Sequence, residues 1–397
     1  MADVPTIPGP PHESYSRLFL RFLRFGLLAW GGPVAQIDMI RHELVERERW
    51  VTHDRFLRTL AVYQVLPGPE AHELCVYFGL LSRGRLGGVL AGLGFMLPGF
   101  VLMLLLSWLY AGHGIDQGSM AAAFAGVQPA VVALIVRAIG RIGSRALTTP
   151  WLGLLAALGF LASVIGLHFL FTLGGCGALY ASLRRRKRVV ALVLLVLLAA
   201  GLLWLPPPPS ASSIRESGSA VHTLSVPALF VSGLRTGLLT FGGAYTAIPF
   251  LQHDAVVRAG FMTNREFLDG IALGGVLPAP LIIFGTFVGY IGGGVLGALA
   301  LTVGIFLPAF SFTLVGHEYL ERAVHNPALH DLLDGVTAGV VGLIAATTLD
   351  LARSALTSPA SLAIFAVALL ALILWRAGYA VAIVMLAAAL AGWLWLR

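Results

Sequence analysis

Apolar positions in this chain come in long blocks rather than in stripes. Blocks near 17–38, 56–82, 85–110, 118–144, 150–167 and 168–183 are followed, later in the chain, by blocks near 224–250, 265–290, 293–316, 332–353, 358–375 and 377–396. Most are close to the length of about 20 residues that a helix needs to cross a bilayer. One more block, Val189–Leu205, lies between the two sets and leads into Pro206–Pro209 and a serine-rich stretch to about Ser219. That stretch reads as a stiff polyproline spacer and exposed linker. The pattern predicts an all-α polytopic membrane protein with about thirteen segments.

The two sets of blocks carry the same landmarks. Trp30-Gly31-Gly32 returns as Phe241-Gly242-Gly243, 211 positions later, and Arg24, Gly26, Trp50, Thr52 and Phe56 fall on Arg235, Gly237, Phe261, Thr263 and Phe267. Pro67-Gly68-Pro69 falls on Pro278-Ala279-Pro280 at the same offset, Leu97-Pro98-Gly99-Phe100 on Leu307-Pro308-Ala309-Phe310 at 210, and Thr149-Pro150 on Ser358-Pro359 at 209. So slow a drift reads as a tandem duplication. The expected organisation is a polar tail over 1–16, a first repeat over 17–183, a basic loop with an unpaired span and linker over 184–223, and a second repeat over 224–397. An odd number of crossings before the second repeat turns it upside down, so the repeats are expected to be inverted, with the binding site between them.

Composition agrees. Of 397 residues, 58% are apolar and 11% charged, and the mean hydropathy is +0.87; soluble domains carry about 25% charged residues. The net charge of +7 therefore reads as topology and not as nucleic-acid binding. The run Arg184-Arg185-Arg186-Lys187-Arg188 is expected in the cytoplasm, and threading from it puts Arg137, Arg141, Arg145, Arg322 and Arg376 on that side. The same threading puts Arg41, Arg47, Arg49, Arg55 and Arg58 outside. The polar start has no signal-peptide pattern, so the first span is expected to serve as the insertion signal. Cys75 and Cys176 lack metal-ligand spacing and read as reduced, inert packing residues. The histidines show no metal spacing either, with His325 and His330 in a polar loop. No metal or cofactor is expected.

Candidate chemistry sits where helices must break. Gly31-Gly32-Pro33 and Gly242-Gly243, with Pro249 beyond, interrupt apolar blocks, and broken backbone at membrane depth is tolerable only in protein or along a cavity. The half-helix after each break would turn free N–H groups and its positive dipole end toward the gap, which suits an anion; a simple kink is the plainer alternative. Pro67-Gly68-Pro69 should split 56–82 into two half-helices, and Glu70, His72 and Glu73 follow it directly. Half two has Leu281 and Ile283 in place of Glu70 and His72, so any proton coupling would be asymmetric. Intramembrane ionisable groups are functional candidates, against a paired structural role. Arg24 and Arg235 recur before the glycine pairs and offer a guanidinium to an oxyanion; Tyr245 and Thr246 offer hydroxyls. Glu43, Glu46, Arg47, Glu48 and Arg49 read as a solvated amphipathic loop.

Taken together, Phe25–Pro33, Glu46–Phe56, Leu66-Pro67-Gly68-Pro69, Gly94–Phe100, Phe241-Gly242-Gly243-Ala244-Tyr245, Phe261–Phe267 and Leu277-Pro278 resemble the chromate ion transporter family, from about Arg17 to the end. The resemblance implies a long-chain, two-domain member that exports chromate across the bacterial inner membrane. The chain departs from the family pattern at Glu70-Ala71-His72 and at Ala279. Sulfate, a similar dianion, is the alternative substrate. An intramembrane acid–base enzyme would need a nucleophile or metal set that the sequence lacks, and a scaffold would give no reason for matched breaks. The expected partners are the oxyanion and the lipid bilayer, with a homo-oligomer compatible.

Overall fold

The computed structural model describes residues 9–112, 119–185, 224–324, 327–375, 377 and 379–395. The unpaired block Val189–Leu205, its linker, Arg186–Arg188, Arg376 and His325 lie outside the described residues. Helices account for nearly all of the rest, and no strand occurs among the described residues.

The first half contains α1 (Tyr15–Leu27), α2 (Gly32–Ile40), a π-helical turn (Arg41–Arg47), α3 (His53–Val65), α4 (Glu70–Gly112), α5 (Ser119–Ala146), α6 (Pro150–Ile165) and α7 (Phe169–Arg184). The second contains α8 (Val226–Leu239), a 3-10 turn (Ala244–Thr246), α9 (Ala247–Gln252), a π-helical turn (His253–Arg258), α10 (Asn264–Val276), a 3-10 turn (Leu281–Ile283), α11 (Phe284–Val324), α12 (Pro327–Ala355), α13 (Pro359–Leu374) and α14 (Ala380–Trp395). Four stretches, Glu70–Gly112, Met120–Ala146, Leu281–Gly316 and Leu329–Ala355, are long and apolar enough to cross a membrane. Phe171, Leu374 and Trp395 are 73%, 72% and 71% exposed, as side chains facing lipid would be.

Local chemistry explains the boundaries. Thr52 caps α3 by accepting from Arg55 N at 3.0 Å, and Thr263 caps α10 in a reciprocal box with Glu266. Pro150 after Thr149 and Pro359 after Ser358 open α6 and α13 in the same way. Helix α4 breaks at Arg83 and Gly84, where Gly84 has φ 64°, and α11 breaks at Gly293 and Gly294, where Gly294 has φ 62°. The arms fold back so tightly that a Cβ on Gly79 would lie 2.4 Å from the Gly87 carbonyl oxygen, and one on Gly289 would lie 2.5 Å from that of Gly297.

Packing exchanges partners between the halves. Helix α5 lies against α13 and α14, α12 lies against α6 and α7, and α4 meets α11. Small residues make the crossings close: a Cβ on Gly126 would be 2.2 Å from the Ala388 carbonyl oxygen, and one on Gly335 would be 2.5 Å from that of Cys176. The expected solvated loop around Glu43 is instead the π-helical turn Arg41–Arg47, in which Leu44 and Val45 are buried. Its polar side is tied by Arg47 to Glu43 at 3.0 Å and by Arg41 to Glu46 at 2.9 Å.

Candidate anion site

Helix stops at Leu27 and resumes at Gly32, with Gly31 and Gly32 at φ 93° and 78°. It stops again at Leu239, with Gly242 and Gly243 at φ 78° and 114°. Side chains avoid this left-handed region, which is why glycine pairs stand at both breaks. Three of the carbonyls there accept hydrogen bonds from within the protein. Gln36 Nε2 donates to the Ala29 carbonyl at 3.0 Å, the Gly68 N–H to that of Thr240 at 2.9 Å, and Thr246 Oγ1 to that of Gly243 at 2.7 Å. Thr246 thus serves the backbone.

The second glycine break opens on a tighter turn than the first. It leads through a 3-10 turn into α9, which runs on without a break into the π-helical turn His253–Arg258, as α2 runs into Arg41–Arg47. The proline break does divide its block: α3 ends at Val65 and α4 begins at Glu70.

Two cavities use these breaks in exchange. One of about 400 Å³ is lined by Gly242 and Gly243 of the second half and by Gln64 and Glu70 of the first. The other, about 1080 Å³, is lined by Gly31 and Gly32 of the first half and by Gly275 and Leu281 of the second. These are the same positions displaced by 211. Each cavity therefore joins the glycine break of one half to the proline break of the other. They share four lining residues, Val34, Arg141, Arg145 and Tyr245, and Val34 and Tyr245 are themselves 211 apart.

Charge at this junction comes from α5. Arg137, Arg141 and Arg145 follow at i, i+4 and i+8, so they share one helix face, and all three line the larger cavity. Among the described residues none of the three has a carboxylate within 4.0 Å. Tyr245 stands in the field of Arg141 and Arg137, and Arg145 attracts Glu70 across the smaller cavity. The larger cavity also receives Asp38, but Arg41 holds that carboxylate at 2.7 Å. Reading these arginines as topology markers hid this role; their common helix face was the available signal. His330, expected in a loop, lies in α12 and lines the smaller cavity with Asp334.

Six of the sequence-derived candidates meet here: Gly31, Gly32, Glu70, Gly242, Gly243 and Tyr245. Arg24 is exposed at the end of α1 and lines neither cavity. Gly68, at φ 152°, is packed against Glu73, whose carboxylate is fully buried without a hydrogen-bond donor among the described residues. His72 is also fully buried, edge-on to Phe306 and Phe310 at 4.9 and 4.7 Å.

Arg235 has the acidic partner that no residue within a turn of it supplies. Its Nη2 donates to Asp254 Oδ2, which also accepts from Ser232 Oγ at 2.6 Å, and its guanidinium lies 5.5 Å from the Phe169 ring centre. Arg235 lines neither cavity. Arg235→Ala should strand a buried carboxylate and destabilise the fold by up to about 3 kcal/mol, the low end for a broken buried pair. Adding Asp254→Asn should recover most of that. Thermal unfolding of the purified variants checks both.

Fold and composition together define a multi-pass membrane protein in which three arginines of α5 line a cavity. The chain belongs to the chromate transporter family, whose sequence profile matches residues 16–209 and 227–393. It is 55% identical to a chromate transport protein of Pseudomonas aeruginosa, over 99% of this chain and 95% of that protein. A chromate transport protein of Cupriavidus metallidurans is 29% identical over 91% of this chain and 88% of its own length. An uncharacterized transporter of Bacillus subtilis is 30% identical over a stretch that is 32% of this chain and 62% of that protein. No solved structure matches the fold.

Proposed function

We propose that this chain exports chromate, or a similar tetrahedral dianion, across the bacterial inner membrane through the junction at Val34, Arg141, Arg145 and Tyr245. The observation that carries this reading is the set of three arginines with no carboxylate within 4.0 Å among the described residues, lining the cavities where both glycine breaks and both proline breaks converge. Guanidinium forks match oxyanion geometry. Arg137 and Arg141, half-buried on that face, are expensive at membrane depth unless a ligand or water meets them, whereas Arg145 is exposed in the last turn of α5. The substrate-contacting set is then Gly31, Gly32, Gly242, Gly243 and Tyr245 with the α5 arginines. Gly68 positions the proline break, and Arg24 and Arg235 stand apart.

The chain is read as two inverted repeats within thirteen segments, N-terminus in the cytoplasm. The exchanged packing of α5 and α12 and the matched cavities support that reading, as does a Bacillus relative about half this chain's length. Inversion turns the two equivalent cavities toward opposite faces, which is the geometry alternating access requires. The membrane potential favours export: a dianion leaving a negative interior gains about 4.6 kcal/mol at about 100 mV.

The test is chromate efflux from preloaded cells that express the chain, with sulfate as competitor. Faster efflux that collapses with the membrane potential is expected. Accumulation instead of loss would reverse the direction, and efflux inhibited by sulfate at equal concentration would make the substrate class broader than chromate.

A further inference from the structure

The two cavities share four positions related by 211 at their breaks and differ at two of them: Gln64 of the smaller stands where the larger has Gly275, and the second difference is ionisable. Where the larger cavity has Leu281, the smaller has the carboxyl of Glu70. We propose that Glu70 is a proton-binding site linked to the oxyanion, so that the anion in the smaller cavity and a proton on Glu70 are carried together. This rests on the anion site proposed above.

The physical reason is competition for one cation. Arg145 attracts Glu70, and the same guanidinium borders the space an oxyanion would fill. With Glu70 ionised, the carboxylate draws on Arg145 and repels the incoming dianion. Protonation removes both effects. By reciprocity, a bound dianion favours the protonated carboxyl by the same factor that the proton favours the anion. The remaining charged or titratable groups facing this space are Arg141 from α5, His330 and Asp334 from α12, and Tyr245 from the second break; Glu73 lies one turn along Glu70's own helix. His330 and Asp334 are the rivals for the same proton. Among the described residues the larger cavity has only Leu277, Ala279 and Leu281 at its proline break, so the linkage belongs to one of the two vestibules. The net charge moved per cycle would fall from that of a dianion to that of a monoanion.

The experiment uses purified full-length protein in detergent and inorganic sulfate, a dianion throughout the neutral range, in weak buffer with a pH indicator. Wild type should take up close to one proton per sulfate bound, and its apparent affinity should tighten as pH falls, by at most about tenfold per unit for one linked proton. Glu70→Gln imitates the protonated state, so it should bind sulfate with the affinity wild type reaches at low pH and take up almost no proton. Glu70→Asp keeps a carboxyl and should keep the uptake, which provides a second check if the glutamine variant is lost to misfolding. His330→Gln and Asp334→Asn should leave the uptake in place. Sulfate binding by wild type without proton uptake overturns the proposal and leaves the anion site standing. Undiminished uptake in Glu70→Gln, or its loss in His330→Gln or Asp334→Asn, also overturns it. No binding of sulfate or chromate at all overturns the site reading as well.

Discussion

Arg141→Gln is expected to lower chromate transport by about ten- to a hundredfold while the protein still inserts. Arg141 borders both cavities, so an anion passing between them meets it on either side. A hydrogen bond to a charged group contributes about 1.5–3 kcal/mol, and each 1.4 kcal/mol is about tenfold in affinity. Arg141→Lys keeps the charge and loses the planar fork, so it should fall between wild type and glutamine. Arg137→Gln should have the smaller effect of the two, since Arg137 borders only the larger cavity. Arg24→Gln should transport at nearly the wild-type rate because Arg24 is exposed and lines neither cavity. Initial rates in proteoliposomes, normalised to inserted protein, check the order. If Arg24→Gln were more damaging than Arg141→Gln, the anion path would run along α1 and not along α5.

The breaks could be read from sequence because they depend on residue type. Glycine pairs also lie inside helices, Gly87-Gly88 in α4 and Gly174-Gly175 in α7, so it is recurrence at matched positions of the two halves, with prolines close by, that places Gly31-Gly32, Gly242-Gly243 and Pro67-Gly68-Pro69 without coordinates, and both of those glycine pairs line cavities. The arginines depend on packing. An arginine near the end of an apolar helix looks the same in sequence whether it anchors to the cytoplasmic surface or faces a cavity. Only the packing of α5 against α13 and α14 shows where Arg137, Arg141 and Arg145 lie. Arg235 shows the same limit. Its partner Asp254 is 19 residues away, brought back by the break and the π-helical turn, and no local window could see it. Tyr245 and Thr246 are adjacent in sequence and differ in role because the 3-10 turn sends one toward the cavity and the other to the Gly243 carbonyl.

The departure at Ala279 has a steric counterpart that yields the sharpest packing prediction. Each Pro-x-Pro turn rests on the proline-containing stretch of the other half's long helix. A Cβ added to Gly68 would lie 3.2 Å from Ala309 Cβ, and one added to Gly99 would lie 2.4 Å from Ala279 Cβ. Gly99 and Ala309 are themselves 210 apart, Gly68 and Ala279 211. At each crossing one partner is glycine and the other alanine, in opposite order, so each contact holds a single methyl. Gly99→Ala puts two methyls where one fits. Glycine to alanine within a helix otherwise stabilises by about 1 kcal/mol, but here overpacking should cost about 1–3 kcal/mol and shift the second proline break, which lines the larger cavity. Ala279→Gly alone should be mild. The double variant Gly99→Ala with Ala279→Gly restores one methyl per contact, and it should recover both thermal stability and chromate transport relative to Gly99→Ala. The coupling between neighbours of this kind is about 0.5–3 kcal/mol, which unfolding of the four proteins in detergent can resolve. A double variant no better than Gly99→Ala would mean that the crossing is loose enough to absorb a methyl, and that Ala279 stands there for a reason other than its fit against Gly99.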